Sequence, residues 1–129
     1  MQIKSGIDII EVERIKNSID ETGENFLNKV YTENEIQYCE SKKKNKYQSY
    51  AARFAVKEAA FKAISTLIRD KYSISWKNIE TTNDSTGKPN IKFISLTKDV
   101  EKELAKIESV DVSISHLEEY AVATVNILF

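Results

Sequence analysis

A chain of 129 residues with 41% hydrophobic and 30% charged residues has the size and composition of one globular domain, and not those of a disordered or fibrous protein. Its 19 basic and 20 acidic side chains give a net charge of −1, so no overall field attracts nucleic acid or a membrane surface. The sequence therefore predicts a single domain over residues 1–129 and restricts any anion-binding site to a local patch.

The cysteine content and the apolar patterning favour the cytoplasm. Cys39 is the only cysteine and cannot form an internal disulfide, and the first residues lack the charged-then-apolar pattern of a signal peptide. No apolar stretch approaches the roughly 20 residues that a membrane-spanning helix needs. We therefore predict a cytoplasmic protein without a membrane span.

The first predicted element is a buried strand over Ile3 to Ile10, because this segment is rich in β-branched residues. Gly6 interrupts the strand, and Asp8 places a carboxylate between two isoleucines. A first helix over Glu11 to Ile19 is indicated by helical spacing of Val12, Ile15 and Ile19.

A second helix begins at a predicted capping box, in which Thr32 and Glu35 satisfy each other's free backbone amides, and it extends to about Glu40. A basic run, Lys42 to Lys46, follows. Such a run is typical of a solvated loop or helix end, and the alternative is a patch that faces phosphate.

The strongest helix contains Arg53 to Ala63 and begins near Gln48, since good helix formers dominate this segment. Apolar residues nearly surround it, and Glu58 and Lys62 stack one turn apart in a narrow polar stripe. The pair has two readings, which are an ordinary solvated ion pair and a pair that binds a metal ion and a phosphate.

The second half of the chain predicts mostly strands. Alternating apolar residues indicate a strand over Ser73 to Thr82, and turn formers over Asn83 to Pro89 lead to a strand near Ile91. A helix over 97–107 and two closing strands, 110–116 and 120–128, complete the pattern. The predicted fold class is α+β, with a mainly antiparallel sheet packed with helices.

Three segments, in this order and spacing, resemble the holo-acyl-carrier-protein synthases of the phosphopantetheinyl transferase superfamily. They are Gly6-Ile7-Asp8-Ile9-Ile10-Glu11, Arg53-Phe54-Ala55-Val56-Lys57-Glu58-Ala59 and Val112-Ser113-Ile114-Ser115-His116. The resemblance covers the whole chain. It implies a phosphopantetheinyl-transferase-like fold and a magnesium-dependent transfer of phosphopantetheine from coenzyme A to a serine of an acyl carrier protein, with release of adenosine 3',5'-bisphosphate.

The resemblance also implies the catalytic residues. Asp8 and Glu58 match the family's metal-binding acids, and carboxylate, phosphate and water oxygens are the ligands that Mg²⁺ prefers. Glu58 is also the candidate for orienting or deprotonating the serine hydroxyl. Lys62 matches a lysine beside the pyrophosphate, where its charge would stabilise the leaving oxygen.

Further contacts with coenzyme A follow from the same resemblance. Arg53 and Lys57 are candidates for the other phosphates, with ordinary surface charges as the alternative. The loop Gly87-Lys88-Pro89 matches a nucleotide contact or is only a turn between strands. Ser115 and His116 match a substrate contact, and for His116 a phosphate or adenine contact is favoured over base catalysis, with a packed or surface residue as the alternative.

The resemblance implies two protein partners. Arg14 lies where the family docks the acidic helix of its carrier protein, or it is only an exposed charge. The family commonly forms a homotrimer with active sites shared between neighbouring subunits. The carrier protein, and a role in fatty-acid or in polyketide synthesis, are not specified by the sequence.

Two departures from the family pattern leave other functions open. Ala63 to Arg69 contains no glycine where the family has a glycine-containing stretch, and Leu117 replaces a small hydroxyl residue after the histidine. The alternatives are an inactive coenzyme-A-binding or assembly module of the same fold, and a different magnesium-dependent nucleotide transferase or pyrophosphatase.

Overall fold

The computed structural model describes all residues from Met1 to Phe129, which form five helices and five strands joined by short turns. In chain order the elements are β1 (Ile3–Glu11), α1 (Val12–Thr22), α2 (Glu24–Val30), α3 (Glu33–Glu40), α4 (Lys46–Ile64), β2 (Ile79–Asn83), β3 (Pro89–Phe93), α5 (Lys98–Leu104), β4 (Ser109–His116) and β5 (Tyr120–Leu128). The predicted capping box is present, because Thr32 and Glu35 exchange hydrogen bonds at the start of α3.

The strands form two antiparallel sheets. The larger sheet has the order β1-β5-β4, with β5 in the centre, and the smaller sheet pairs β2 with β3. The predicted α+β class, with antiparallel sheets and packed helices, is confirmed.

Helix α4 packs across the larger sheet and forms the centre of the hydrophobic core. Its alanines at positions 55, 59, 60 and 63 are almost fully buried. The closest approach is at Gly6, where a Cβ atom would lie 1.8 Å from the carbonyl oxygen of Ala59. Only glycine allows this approach, so Gly6 sets the distance between β1 and α4.

The other face of the larger sheet has no helix over it. The outward side chains of β1 include Ile3, Ile7 and Ile9, which are 70%, 59% and 65% exposed. Among the helices, none has the length and apolar character that crossing a membrane would require.

Some predicted elements differ from those observed. The segment Ser73 to Thr82 is a strand only from Ile79, because Ser75 and Asn78 bond to each other's backbone and close a short 3-10 turn. Helix α2 was not predicted, and it starts directly after Gly23, which has a positive φ of 54°. The basic run forms a tight exposed turn, Lys43–Asn45, as expected for a solvated segment.

Candidate active site

Asp8, Glu58 and Lys62 come together where β1 passes beneath α4. The Lys62 Nζ atom donates to the carbonyl oxygen of Ile7 at 2.8 Å and lies 3.4 Å from Asp8 Oδ1. Asp8 shares the helix-facing side of β1 with Gly6, since alternate residues of a strand point to the same face. The close contact at Gly6 thus brings the strand carboxylate to the polar stripe of the helix.

The electrostatics of this cluster favour a bound cation. Burial raises the pKa of the Glu58 carboxyl, and the negative charge of Asp8 raises it further, while Trp76 and Lys62 act in the opposite direction. Two carboxylates that oppose each other's ionisation gain most from a cation between them. No group of three or more His, Cys, Asp or Glu side chains has an arrangement that could hold a metal ion. The carboxylate oxygens of Asp8 and Glu58 fit a hard ion such as Mg²⁺, which takes its other ligands from phosphate and water.

An apolar cleft of about 990 Å³ opens beside Glu58. Trp76, Phe61 and three isoleucines line its floor, and the segment Ser65 to Ser75 supplies much of its rim. This segment overlaps the stretch without glycine, Ala63 to Arg69. The departure from the family pattern therefore lies next to Glu58 and does not remove a carboxylate.

A second cleft, of about 380 Å³, collects four of the predicted coenzyme contacts: Arg53, Gly87, Pro89 and His116. The Arg53 side chain is buried, with its guanidinium carbon 3.8 Å from the centre of the Tyr38 ring and one nitrogen 2.6 Å from Asn83 Oδ1. Its Nε atom is buried without a hydrogen-bond partner. A guanidinium that lines a cleft holds a fixed positive charge there, which is suited to an anion such as phosphate.

Lys57 is neither a surface charge nor a free phosphate ligand, contrary to both readings from the sequence. It is fully buried, its ammonium lies 2.8 Å from Glu35 Oε1, and it also donates to the backbone carbonyls of Trp76 and Ile79. An ammonium has three donors, and here all three have partners. The geometry gives Lys57 a role in holding α3, α4 and β2 together, not in contacting coenzyme A.

The other predicted contacts lie apart from both clusters. Lys88 extends away from the second cleft and pairs with Asp111 at 3.1 Å. Ser115 is exposed, and because it precedes His116 in a strand it points to the open face of the sheet. Arg14 is exposed on α1. Sequence reasoning did not identify Glu35, Tyr38, Asn83 or Trp76, which support these clusters through long-range contacts that no local pattern encodes.

The two clusters lie at opposite edges of the larger sheet. Asp8 on β1 pairs with Ala123 on the central strand β5. Ala123 pairs on its other side with Ile114 of β4, and His116 follows Ile114 by two residues. Two strand spacings of about 4.8 Å each separate the edges. The carboxylate cluster and the anion cleft therefore lie at different edges of the sheet, two strands apart.

Comparison with known families matches residues 4–125 to the 4'-phosphopantetheinyl transferase superfamily. A holo-[acyl-carrier-protein] synthase of Ruminiclostridium cellulolyticum is 48% identical over 123 residues, which cover 95% of this chain and 90% of that protein. A holo-[acyl-carrier-protein] synthase of Koribacter versatilis is 42% identical over 125 residues, 97% of each chain.

Solved structures give the same result for the fold. The Helicobacter pylori holo-[acyl-carrier-protein] synthase in complex with coenzyme A superposes with a TM-score of 0.79, at 29% identity over 96% of this chain and 99% of that one. The Bacillus anthracis synthase in complex with coenzyme A (3',5'-ADP) gives 0.75, at 35% identity over 96% of this chain and 94% of that one.

Proposed function

The chain belongs to the 4'-phosphopantetheinyl transferase superfamily, among the holo-[acyl-carrier-protein] synthases, and from this premise we propose its reaction and its site. It transfers the 4'-phosphopantetheine arm of coenzyme A to a serine of an apo acyl carrier protein and releases adenosine 3',5'-bisphosphate. The observation that carries the proposal is the meeting of Asp8, Glu58 and Lys62 at the contact between β1 and α4.

Each of the three side chains has a distinct part in the proposed reaction. The serine Oγ forms a bond to the phosphorus that bears the pantetheine arm, and the bond from that phosphorus to the adenosine bisphosphate oxygen breaks. Glu58 orients the serine hydroxyl and accepts its proton, directly or through water. Lys62, whose side chain is 57% exposed, presents its ammonium to the leaving oxygen and offsets the charge that develops there.

Asp8 and Glu58 would hold a magnesium ion against the pyrophosphate. Bound there, the ion supplies charge neutralisation and orientation of the phosphoryl groups. The ion pair between Lys62 and Asp8 would then be replaced, because a divalent cation competes for the same carboxylate.

The second cleft is the proposed site for the phosphates and adenosine of coenzyme A. Arg53 carries a buried guanidinium with an unused Nε donor, and His116 and the Gly87 turn complete its walls. Gly87 has a positive φ of 88°, a conformation that keeps this turn tight and favours glycine.

We further propose that the enzyme is a homotrimer whose active sites form between neighbouring copies. Two observations support this: the open sheet face exposes the isoleucines of β1, and the carboxylate cluster and the anion cleft lie at opposite edges of the sheet. Coenzyme A would contact the β1 edge of one copy and the β4 edge of the next. Ser115, on the open face, would contact coenzyme A from the neighbouring copy.

The reaction is tested by intact-mass spectrometry of apo acyl carrier proteins after incubation with the enzyme, coenzyme A and Mg²⁺. We expect the carrier to gain the mass of one phosphopantetheine, and the gain to be lost with a chelator or with Glu58→Gln. The exposed Glu101 on α5 provides the matched control, and Glu101→Gln should retain activity. Coenzyme A binding without any mass gain would indicate the inactive binding module.

The shared site is tested by complementation. Asp8→Ala and His116→Ala damage different halves of the proposed site, so each homotrimer should be inactive. Co-expressed, the two variants assemble mixed trimers in which some interfaces have both halves intact, and activity should return. A monomer by light scattering, or no recovery in verified mixed assemblies, would contradict the shared site.

A further inference from the structure

Trp76 lies beside Glu58 and is the only tryptophan in the chain. It opens the short turn before β2, and its indole ring packs against Phe54 of α4 with ring centres 6.0 Å apart. Phe54 and Glu58 are one helical turn apart, so this contact places the indole along the same strip of α4. Trp76 and Glu58 also line the same apolar cleft.

The indole N–H of Trp76 is a buried donor without a full hydrogen bond. Its Nε1 atom is removed from solvent and has no acceptor within hydrogen-bonding geometry. The indole and the Glu58 carboxylate line the same cleft, and the carboxylate is a hydrogen-bond acceptor. A buried donor is costly when it is left unpaired, and pairing with this carboxylate would remove that cost.

The backbone beside the indole is held in place by Lys57. The Lys57 ammonium donates to the Trp76 carbonyl at 2.9 Å while it is paired with Glu35 at 2.8 Å. Lys57 immediately precedes Glu58 in α4. The same turn of α4 therefore carries the Glu58 carboxylate and, through Lys57, holds the backbone of Trp76.

Competing donors near Glu58 are already in use. The Lys62 ammonium donates to the Ile7 carbonyl and contacts Asp8, and the Lys57 ammonium has three other partners. Among the buried side-chain donors without a partner, Trp76 Nε1 is the one whose residue lines the cleft with Glu58.

We propose that Trp76 is a positioning residue, whose indole N–H binds one carboxylate oxygen of Glu58 and leaves the other oxygen directed at the metal ion. The proposal rests on the proposed function, because it takes Glu58 as a metal ligand. Side chains that hydrogen-bond to metal ligands orient those ligands, and their loss typically weakens metal binding by about 10- to 100-fold. The effect is expected to be large here because the proposed metal site has only two carboxylates, Asp8 and Glu58.

The contact itself is tested by NMR on the metal-free protein. A single tryptophan gives a single indole N–H cross-peak in a ¹⁵N-labelled sample, so the signal needs no assignment. We expect Glu58→Gln and added Mg²⁺ each to shift this peak, and Glu101→Gln, at an exposed position of α5 outside the cleft, to leave it unchanged. An indole peak that does not respond to Glu58→Gln would overturn the proposal, whether or not the protein binds metal.

The consequence is tested by metal affinity, measured by calorimetry with Mn²⁺ as the probe. Trp76→Phe keeps an aromatic ring against Phe54 but removes the N–H, and we expect Mn²⁺ to bind about 10- to 100-fold more weakly. Biosynthetic replacement of tryptophan by benzothienylalanine changes this one position and replaces the N–H by sulfur at nearly constant shape. This analogue should give the same loss even if Trp76→Phe proves unstable.

Kinetics with the carrier protein separate this inference from the proposed function. The analogue should lower kcat at limiting metal, leave the KM for the carrier unchanged and recover at high Mg²⁺. If the wild-type protein transfers no phosphopantetheine and binds no metal, the proposed function has failed. If the wild-type protein does both and the analogue matches it, only the role of Trp76 is refuted.

Discussion

Replacing Gly6 by alanine should disturb the stability and the active site together. The added Cβ would lie 1.8 Å from the Ala59 oxygen and 2.8 Å from the Ala63 nitrogen, and both are backbone atoms that cannot rotate away. Helix α4 must therefore lift from β1 by about 1.2 Å to restore the 3.0 Å that Cβ contacts almost always keep. That shift moves Glu58 and Lys62 away from Asp8.

Overpacking of this kind costs about 1–3 kcal/mol. At about 4 °C per kcal/mol for a chain of this length, the Tm should fall by roughly 4–12 °C. We expect a larger relative loss in metal affinity and transfer rate, because catalytic geometry is sensitive to displacements of about 1 Å. Thermal unfolding, calorimetry with Mg²⁺ and the carrier mass assay measure the three effects.

Gly23→Ala is the matched control for this substitution. Gly23 has a positive φ of 54°, but a Cβ there meets no atom closer than 3.9 Å. Alanine at this position should cost a similar amount, about 1–3 kcal/mol, through backbone strain and should leave metal binding unchanged. If Gly6→Ala lost no more metal affinity than Gly23→Ala, the argument that Gly6 sets the site geometry would be refuted.

Three further predictions concern buried groups. Lys57→Met should lower the free energy of unfolding, measured with urea, by about 3–5 kcal/mol, because it leaves the Glu35 carboxylate buried without its partner. The double variant Lys57→Met/Glu35→Gln should recover part of that loss. Burial raises the pKa of the Cys39 thiol to about 11. The native protein should therefore react slowly with thiol reagents at pH 8, whereas the unfolded chain should be labelled at once. Fast labelling of the native protein would contradict this prediction. In the metal-free protein the pKa of the Glu58 carboxyl, followed by NMR, should lie above its ordinary value of 4.5. Because the folded state then binds this proton more tightly than the unfolded chain does, this group should lower the free energy of unfolding as the pH rises through its pKa. Removing the neighbouring charge with Asp8→Asn should lower this pKa, and an unchanged midpoint would show that the two carboxylates do not interact.

Local patterns determined most of the secondary structure. The capping box at Thr32 depends only on residues three positions apart, and the alternation in β4 and β5 depends only on the two-residue period of a strand. The same local rules failed over Ser73 to Thr82, where alternating apolar residues also suit a 3-10 turn closed by Ser75 and Asn78. The spacing of apolar residues carries no information about a hydrogen bond that closes a turn.

Local sequence motifs also identified part of the candidate site. Asp8, Glu58 and Lys62 were predicted from their motifs, and the fold brings them together. Their proximity depends on Gly6, which the sequence marked as an interruption of a strand and as the start of a family segment, but not as a contact with α4. The reason is that steric contact between β1 and α4 joins residues more than fifty positions apart.

The buried charges were decided by the tertiary structure alone. Lys57 and Arg53 lie in a helix whose pattern suggested surface charges, yet both are buried. A buried charge is tolerated only where partners from other elements satisfy it, and here Glu35, Tyr38 and Asn83 come from α3 and β2. Sequence patterns report what a residue does within its own helix or strand, whereas the energy of a buried charge depends on which distant groups the folded chain places around it.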